Sequence, residues 1–239
     1  MDYKSSYNKF FKKLRGDKEL HDELYSKAVG GDYEEMGYLQ MQLLKLAGAK
    51  TEHHIVDVGC GSGRLANQLA KNGFTKYTGY DVVEDLLDFA EKKCAKKSFR
   101  FHKTDRTEIP QSKESVDIIC FFSVFTHLLH EDSFKYLLSS KSVLRSGGKI
   151  IFSFLSFDED EHWKLFDQMV SNEEPIHHNQ FMSNSQIEIW AEKLGLQLER
   201  LEGGTQPYIP IDREVTLTNG AHFKDLGSLG QGVCILSKT

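Results

Sequence analysis

In the segment VDVGCGSGRLA at 56–66, glycines stand at the alternate positions Gly59, Gly61 and Gly63, and an acid, Asp57, precedes the first by two residues. A residue without a Cβ takes left-handed φ values freely and lets a ligand approach the backbone closely. A helix beginning just after such a loop adds unpaired N–H groups at its start. The chemistry this suits is the holding of a nucleotide-like ligand on main-chain groups. Asp81 follows Gly63 by 18 residues and ends Gly79-Tyr80-Asp81, where a carboxylate can accept both hydroxyls of a ribose. Further on, SVDIICFFSVFTHL at 115–128 contains the best-placed general base, His127, with His130 a weaker candidate.

The elements that must position these residues alternate in type. From Tyr33, Met36, Leu39, Leu43, Leu44 and Ala47 recur at helical spacing and stop at Gly48, a good C-terminal residue. Ile55 to Val58 is a short β-branched strand that runs into the glycines, and a helix with Leu65, Ala66, Leu69 and Ala70 follows, ending at Asn72-Gly73. The unit recurs as an extended Tyr77 to Tyr80 and a helix striped by Val83, Leu86, Leu87, Ala90 and Cys94. Strands are expected at Phe99 to His102, Val116 to Phe121 and Lys149 to Phe154, with a helix from about Glu131 to Leu144 ended by Ser146-Gly147-Gly148. Two more helices carry Trp163, Phe166 and Val170, and Ile187, Trp190, Ala191 and Leu194. The second is expected to start at a capping box, Ser185-Gln186-Ile187-Glu188, and to end at Gly195. Two last strands, around Leu196 and at Val233 to Leu236, flank a connection from Gly203 to Gly230 that is either functional or a small hairpin. The pattern predicts a doubly wound, mostly parallel α/β sheet covered by helices on both faces.

On the loop and Asp81 alone, a dinucleotide enzyme stays open, because from Gly61 the sixth position of G-x-G-x-x-G is Ala66, a tolerated variant. Asp57 changes this by completing D-x-G-x-G-x-G. VDVGCGSGRLA resembles motif I of the class I S-adenosylmethionine-dependent methyltransferases, and Gly79-Tyr80-Asp81 resembles their second motif. FHKTDRTEIP at 101–110 is similar to the motif ending strand 3, SVDIICFFSVFTHL to the fourth motif, and LRSGGKIIFSF at 144–154 to the turn into strand 5. The resemblance covers about Tyr33 to Phe154 and implies a Rossmann-like fold with a seven-stranded sheet whose last strand is antiparallel. It implies that S-adenosylmethionine is the cofactor and S-adenosylhomocysteine the product. The cofactor contacts it implies are Asp57, Gly59, Cys60, Gly61 and Gly63 in motif I, then Asp81 and Val82, Asp105 toward the adenine amino group with Arg106 beside it, and Phe122 and Ser123 after strand 4. Against these roles, Asp81 could simply cap a helix, Asp105 could be a loop acid, and Cys60 reads as a small loop residue and not a nucleophile.

The segments GGDYEEMGYLQMQLL, SVFTHL and SLGQGVCIL resemble bacterial small-molecule and polysaccharide-associated methyltransferases. That resemblance implies a small polar or sugar acceptor and O-methylation. Phe121-Phe122-Ser123-Val124 stands where amino-methylating enzymes for DNA bases and protein glutamine carry Asn-Pro-Pro-Tyr or Asp-Pro-Pro-Tyr. Acceptor recognition is expected from outside the common core: the N-terminal helix with Tyr25 to Tyr38, Ser156 to Phe181, and the final connection with Tyr208, Arg213, His222 and Phe223. The alternatives are an NAD-dependent oxidoreductase and a non-catalytic cofactor-binding subunit of the same fold.

At 239 residues with 39% hydrophobic content the chain can bury one core, so a single domain is expected, with 1–48 as a helical cap and 49–239 as the cofactor-binding core. A formal charge of −5 offers no general attraction to nucleic acid or an anionic membrane. The one basic cluster, Lys9, Lys12, Lys13, Arg15 and Lys18, reads as a solvated helix face. Cys60, Cys94, Cys120 and Cys234 form no CxxC pair, and the adjacent histidines His53-His54 and His177-His178 point apart on a strand, so no metal site is expected. The start, MDYKSSYNKFFKK, has no apolar stretch for a secretory signal, and a cytoplasmic location is expected.

Overall fold

The computed structural model describes residues 25–27, 29–171 and 179–239. The basic cluster at 9–18 and the pair His177-His178 lie outside them. In chain order the elements are α1 (Tyr33–Leu46), β1 (His54–Val58), α2 (Arg64–Lys71), β2 (Lys76–Asp81), α3 (Glu84–Cys94), β3 (Phe99–Lys103), β4 (Val116–Phe121), α4 (His130–Val143), β5 (Leu144–Ser156), α5 (Asp160–Ser171), β6 (Phe181–Met182), α6 (Asn184–Leu194), β7 (Gln197–Glu202), β8 (Ile209–Pro210), β9 (Val215–Thr216), β10 (His222–Phe223), β11 (Leu226–Gly227) and β12 (Gly232–Ser237).

Two compact units are formed. One takes in the described residues up to Asp105 together with Tyr208–Gly227, and the other those from Arg106 to Pro207 together with Ser228–Thr239. Within the first unit α1 is bonded to α2, where Glu34 accepts from Gln68 Nε2 at 2.7 Å and from Asn67 Nδ2 at 3.1 Å.

In the first unit the strands pair in parallel in the order β3-β2-β1, with Asp57 opposite Gly79 and Asp81 opposite Lys103. Every residue of β1 is buried, as a strand covered on both faces requires. Leu39, Leu43 and Leu44 of α1 and Leu65, Ala66 and Leu69 of α2 are all in the core. The long connection is a hairpin: β8 pairs with β11 and β9 with β10, both antiparallel. It is tied to α1, because the Tyr38 hydroxyl donates to Asp212 Oδ1 and accepts from the Asp212 N–H at 2.9 Å.

In the second unit the order is β4-β5-β12-β7, with β4 parallel to β5 and β12 antiparallel to both its neighbours; the short β6 adds beside β5. The first unit thus carries three parallel strands and the second a main path of four, of which β12 is the antiparallel one. This is the mixed α/β, Rossmann-like architecture that the alternation of strands and helices predicts.

Three local expectations are corrected. β5 begins at Leu144, directly after α4, so Ser146-Gly147-Gly148 lies inside the strand and not in a turn before it. β6 was not expected at all, being two residues long and lacking any period. The cap of α6 is Ser183, whose side chain accepts from the Gln186 N–H at 3.2 Å. The box therefore sits two residues earlier than Ser185…Glu188, because Ser183…Gln186 has the same spacing and the helix starts at Asn184.

Candidate functional site

The glycine loop leaves the end of β1 and is pinned onto the end of β2. The N–H groups of Gly59 and Cys60 both donate to Tyr80 O, at 2.7 and 3.0 Å. Gly59, Gly61 and Gly63 all have left-handed φ, at 75°, 54° and 77°. Glycine is required here on conformational grounds, since each such residue with a Cβ costs about 1–2 kcal/mol. The loop ends at Gly63, the N-cap of α2, which makes no side-chain cap; the first turn of α2 contains no acid. The positive end of the α2 dipole therefore meets no acid in its own first turn.

Asp81 ends β2 and is brought against this loop. Its Oδ2 accepts from the Gly61 N–H at 2.8 Å and its Oδ1 from the Val83 N–H at 2.9 Å. Burial pushes its carboxyl pKa up, and the Val83 and Gly61 N–H groups pull it back. A carboxylate accepts about four hydrogen bonds in all, so with the Val83, Gly61 and Val82 N–H groups in place it keeps acceptor capacity for a ribose hydroxyl. A helix cap at Asp81 is only part of the account, because α3 has Val83 as its N-cap. Val82, half-buried, packs beside Tyr25 on the Val83–Leu86 cluster.

Asp105 is exposed and follows Thr104, whose N–H donates to Asp81 O at 2.9 Å. The ends of β2 and β3 thereby place Asp81 and Asp105 on one edge of the first unit. Asp57 is buried in β1, and the Tyr77 hydroxyl donates to its Oδ2 at 2.8 Å, so the side chain braces the strand below the loop. Cys60 turns its thiol inward: a Cβ added at Gly79 would come within 2.8 Å of Cys60 Sγ. Burial, with the charges of Asp81 and Asp57, pushes that thiol well above the usual range, which suits a filler of the loop's underside and not a nucleophile.

In the second unit Phe122 and Ser123 follow β4. Ser123 has a left-handed φ of 58°, held by its N–H donating to Ser153 Oγ at 2.7 Å. The hydroxyls of Ser153 and Ser123 both donate to Gln231 Oε1, at 2.7 and 3.2 Å, which leaves the Gln231 NH₂ turned away from them. His127 lies half-buried on the same turn, its N–H bonded to Val124 O at 3.0 Å. Arg106 is exposed, and its carbonyl accepts from Tyr136 OH at 2.8 Å. His130 is committed to packing, with Nε2 at 3.0 Å from Phe181 O and its ring edge-on to Trp190. His54 is buried against Thr78. Among the described residues no group of three or more His, Cys, Asp or Glu could hold a metal, and no helix is long and apolar enough to cross a membrane.

The sequence did not single out Val29, Ser153 or Gln231. None carries a local pattern, because each acts through a contact with a residue far along the chain. Arg213 lies over the Tyr38 ring at 4.1 Å and pairs with Glu35 at 2.7 Å.

A methyltransferase domain family matches residues 33–201, which is more than half of the chain, and the chain belongs to that family. It is 26% identical over 176 residues to a ubiquinone biosynthesis O-methyltransferase of Coxiella burnetii, covering 69% of this chain and 71% of the relative. It is also 26% identical over 193 residues to a malonyl-[acyl-carrier protein] O-methyltransferase of Hahella chejuensis, covering 77% and 66%. The fold matches that of magnesium protoporphyrin IX methyltransferase from Synechocystis, solved with bound S-adenosylhomocysteine, at a TM-score of 0.65 and 15% identity over 96% of this chain and 93% of that one. The chain is therefore an S-adenosylmethionine-dependent methyltransferase. The residues present fit that cofactor: a left-handed glycine loop that a ligand can approach closely lies beside the buried carboxylate of Asp81. The oxidoreductase reading of the same loop falls away.

Proposed function

We propose that this enzyme methylates a hydroxyl of a small polar molecule or sugar, holding the cofactor through Gly59, Cys60, Gly61, Gly63, Asp81, Val82 and Asp105, with Asp57 bracing the loop. Arg106, Phe122 and Ser123 are proposed as further cofactor contacts. Bound S-adenosylmethionine supplies an electrophilic methyl carbon on a sulfonium. The acceptor oxygen forms a bond to that carbon as the carbon–sulfur bond breaks, and the electron pair leaves on sulfur as the neutral thioether, S-adenosylhomocysteine. The protein must align the two partners, exclude water and take the hydroxyl proton. His127 is proposed for the last task.

The observation that carries the polar-acceptor reading is the turn after β4. Ser123 holds a left-handed backbone that costs about 1–3 kcal/mol, and the neighbouring Thr126 hydroxyl is buried without a partner at a cost of about 1–3 kcal/mol more. A turn kept at such expense, lined by the hydroxyls of Ser123 and Ser153 and the amide of Gln231, suits recognition of a hydroxylated molecule better than an apolar one. The two relatives named above are both O-methyltransferases by name, in keeping with oxygen as the nucleophile.

The test is transfer of labelled methyl from S-adenosylmethionine to a panel of catechols, sugars, carboxylic acids and amines. Label on a hydroxyl of one class, with turnover reduced at least tenfold in His127→Ala and S-adenosylhomocysteine affinity unchanged, supports the assignment. Label only on amines refutes O-methylation, and full turnover in His127→Ala removes that residue from the proton transfer.

A further inference from the structure

The ladder between β12 and β5 is interrupted by a side chain next to Gln231. Val233 faces Ser153 and Gly232 faces Phe154, so the same register continued by two residues would set Gly230 opposite Ser156. At that place an imidazole stands between the two strands. His162, in the first turn of α5, is 6% exposed; the Ser156 N–H donates to its Nδ1 at 3.0 Å, and its Nε2 lies 3.0 Å from Gly230 O. A main-chain N–H only donates and a carbonyl only accepts, so the ring must present a bare Nδ1 and a protonated Nε2, which makes it neutral.

The ring acts as a spacer. With a full hydrogen bond on each side of it, Ser156 N and Gly230 O are held well beyond the roughly 2.9–3.0 Å of a direct ladder bond. Gln231, the next residue, precedes the first paired residue of β12, and its Oε1 accepts from the Ser153 and Ser123 hydroxyls at 2.7 and 3.2 Å. The same stretch is fixed from behind. Gly230 has a left-handed φ of 69°, its N–H donates to Ser228 Oγ at 3.1 Å, and that hydroxyl donates to Gly204 O at 2.7 Å. A Cβ added at Gly204 would lie 2.8 Å from His162 Cε1 and 2.8 Å from the Gln231 carbonyl carbon, so the imidazole and the Gln231 main chain press on the same glycine.

We propose that His162 is a positioning residue for the methyl acceptor: its ring wedges the start of β12 away from β5 and so aims Gln231 at the turn that carries Ser123. This rests on the reading of Ser123, Ser153 and Gln231 as acceptor-recognising side chains. Without the ring, Ser156 N–H and Gly230 O either close into a direct bond, which draws Gln231 toward the ladder, or lose their partners; both displace Gln231 from Ser123. Glutamine at position 162 carries an acceptor and a donor on one carbon, as imidazole does on either side of Cε1, and can make the same two bonds. Phenylalanine fills the space and can make neither.

The first test is NMR of the full-length chain labelled with nitrogen-15, which needs no acceptor. Long-range proton–nitrogen spectra of wild type are expected to show His162 with a bare Nδ1 and a protonated Nε2; a protonated Nδ1 overturns the proposal without any variant. The side-chain amide signals of Gln231, assigned by their loss in Gln231→Ala, are expected to move to the position of a solvated glutamine in His162→Phe and to stay in place in His162→Gln. Signals that do not move in His162→Phe overturn the proposal. Thermal melts check folding, and if His162→Phe does not fold, the wild-type tautomer and His162→Gln still decide. The second test is steady-state methylation of the hydroxyl compound that wild type labels in the panel above. His162→Phe is expected to raise the KM for that compound about three- to tenfold, the size of one lost hydrogen bond, with S-adenosylhomocysteine affinity unchanged. The double variant His162→Phe/Gln231→Ala is expected to be no worse than Gln231→Ala alone, whereas additive losses would mean that His162 acts independently of Gln231 and overturn the proposal. If Gln231→Ala leaves that KM unchanged, the acceptor reading fails; if Gln231→Ala raises it and His162→Phe does not, only the wedge fails.

Discussion

Gly63 is under two constraints at once, and the structure lets them be separated by experiment. Its φ is 77°, so an alanine there is strained by about 1–2 kcal/mol. An added Cβ would also lie 2.6 Å from Ala90 Cβ and 3.1 Å from Ala90 Cα, in the buried face of α3. Neither atom is the end of a flexible side chain, so α2 and α3 must move apart, and overpacking of this kind costs about 1–3 kcal/mol. Gly63→Ala is therefore expected to destabilise by about 2–5 kcal/mol. Gly147 provides the control, with a φ of 75° and nothing within 4 Å of an added Cβ. Its alanine variant bears the conformational cost alone, about 1–2 kcal/mol, and both variants gain equally from a stiffer unfolded chain. Urea unfolding of the two variants and wild type, compared at a common m-value, isolates the packing part as the difference between them. A difference below about 0.5 kcal/mol would show that the α2–α3 contact yields without cost, and the reasoning from the Cβ distance would be refuted.

Other outcomes follow from the same structure. Because burial raises the Asp81 pKa, and a ribose hydroxyl needs the ionised carboxylate as acceptor, S-adenosylhomocysteine affinity is expected to be full above that pKa and to fall as pH drops through it. The fall should begin at a higher pH than an ordinary aspartate would give; calorimetric titration across pH measures it, and the dependence should vanish in Asp81→Asn. In α6, Ser183→Ala removes the cap and is expected to cost about 1 kcal/mol, whereas Ser185→Ala should cost less than half of that. Equal losses in thermal unfolding would place the box at Ser185 after all. The exposed side of Cys94 gives a chemical check: burial pushes its thiol up to about 12, so thiol-reactive reagents at neutral pH should label it far more slowly than a free thiol of ordinary pKa.

The parts of this molecule that were legible in the sequence are those governed by local rules. Strands and helices alternate with clear periods because each buries one face against a sheet, so the Rossmann-like order could be read from Leu39, Ile55, Leu65 or Leu86 without knowing their neighbours. The glycine loop was legible because φ and close approach are properties of single residues, and Asp81 because β2 must end a fixed distance on. Where two local patterns competed, reading failed: Ser183…Gln186 and Ser185…Glu188 are equivalent as strings, and only the start of α6 chooses between them. Val29 was illegible for a different reason. It stands over Gly61 only once residues 32 positions apart have been folded together.

The same distinction separates the two halves of the reaction. The proposed donor site, a glycine loop and one carboxylate, is set out along a contiguous loop and the strand after it, and so leaves a local pattern. The turn beyond β4 works otherwise. Its left-handed Ser123 is held by Ser153, 30 residues on, and by Gln231, 108 residues on, in the antiparallel end of the sheet. A side-chain set gathered from three distant places in the chain leaves no contiguous pattern, and its members are coupled, because Ser153 and Gln231 both bear on the turn at Ser123. Under the proposed function, Ser153 and Gln231 are the positions at which a change of acceptor would be read, and neither could be found by reading the sequence locally.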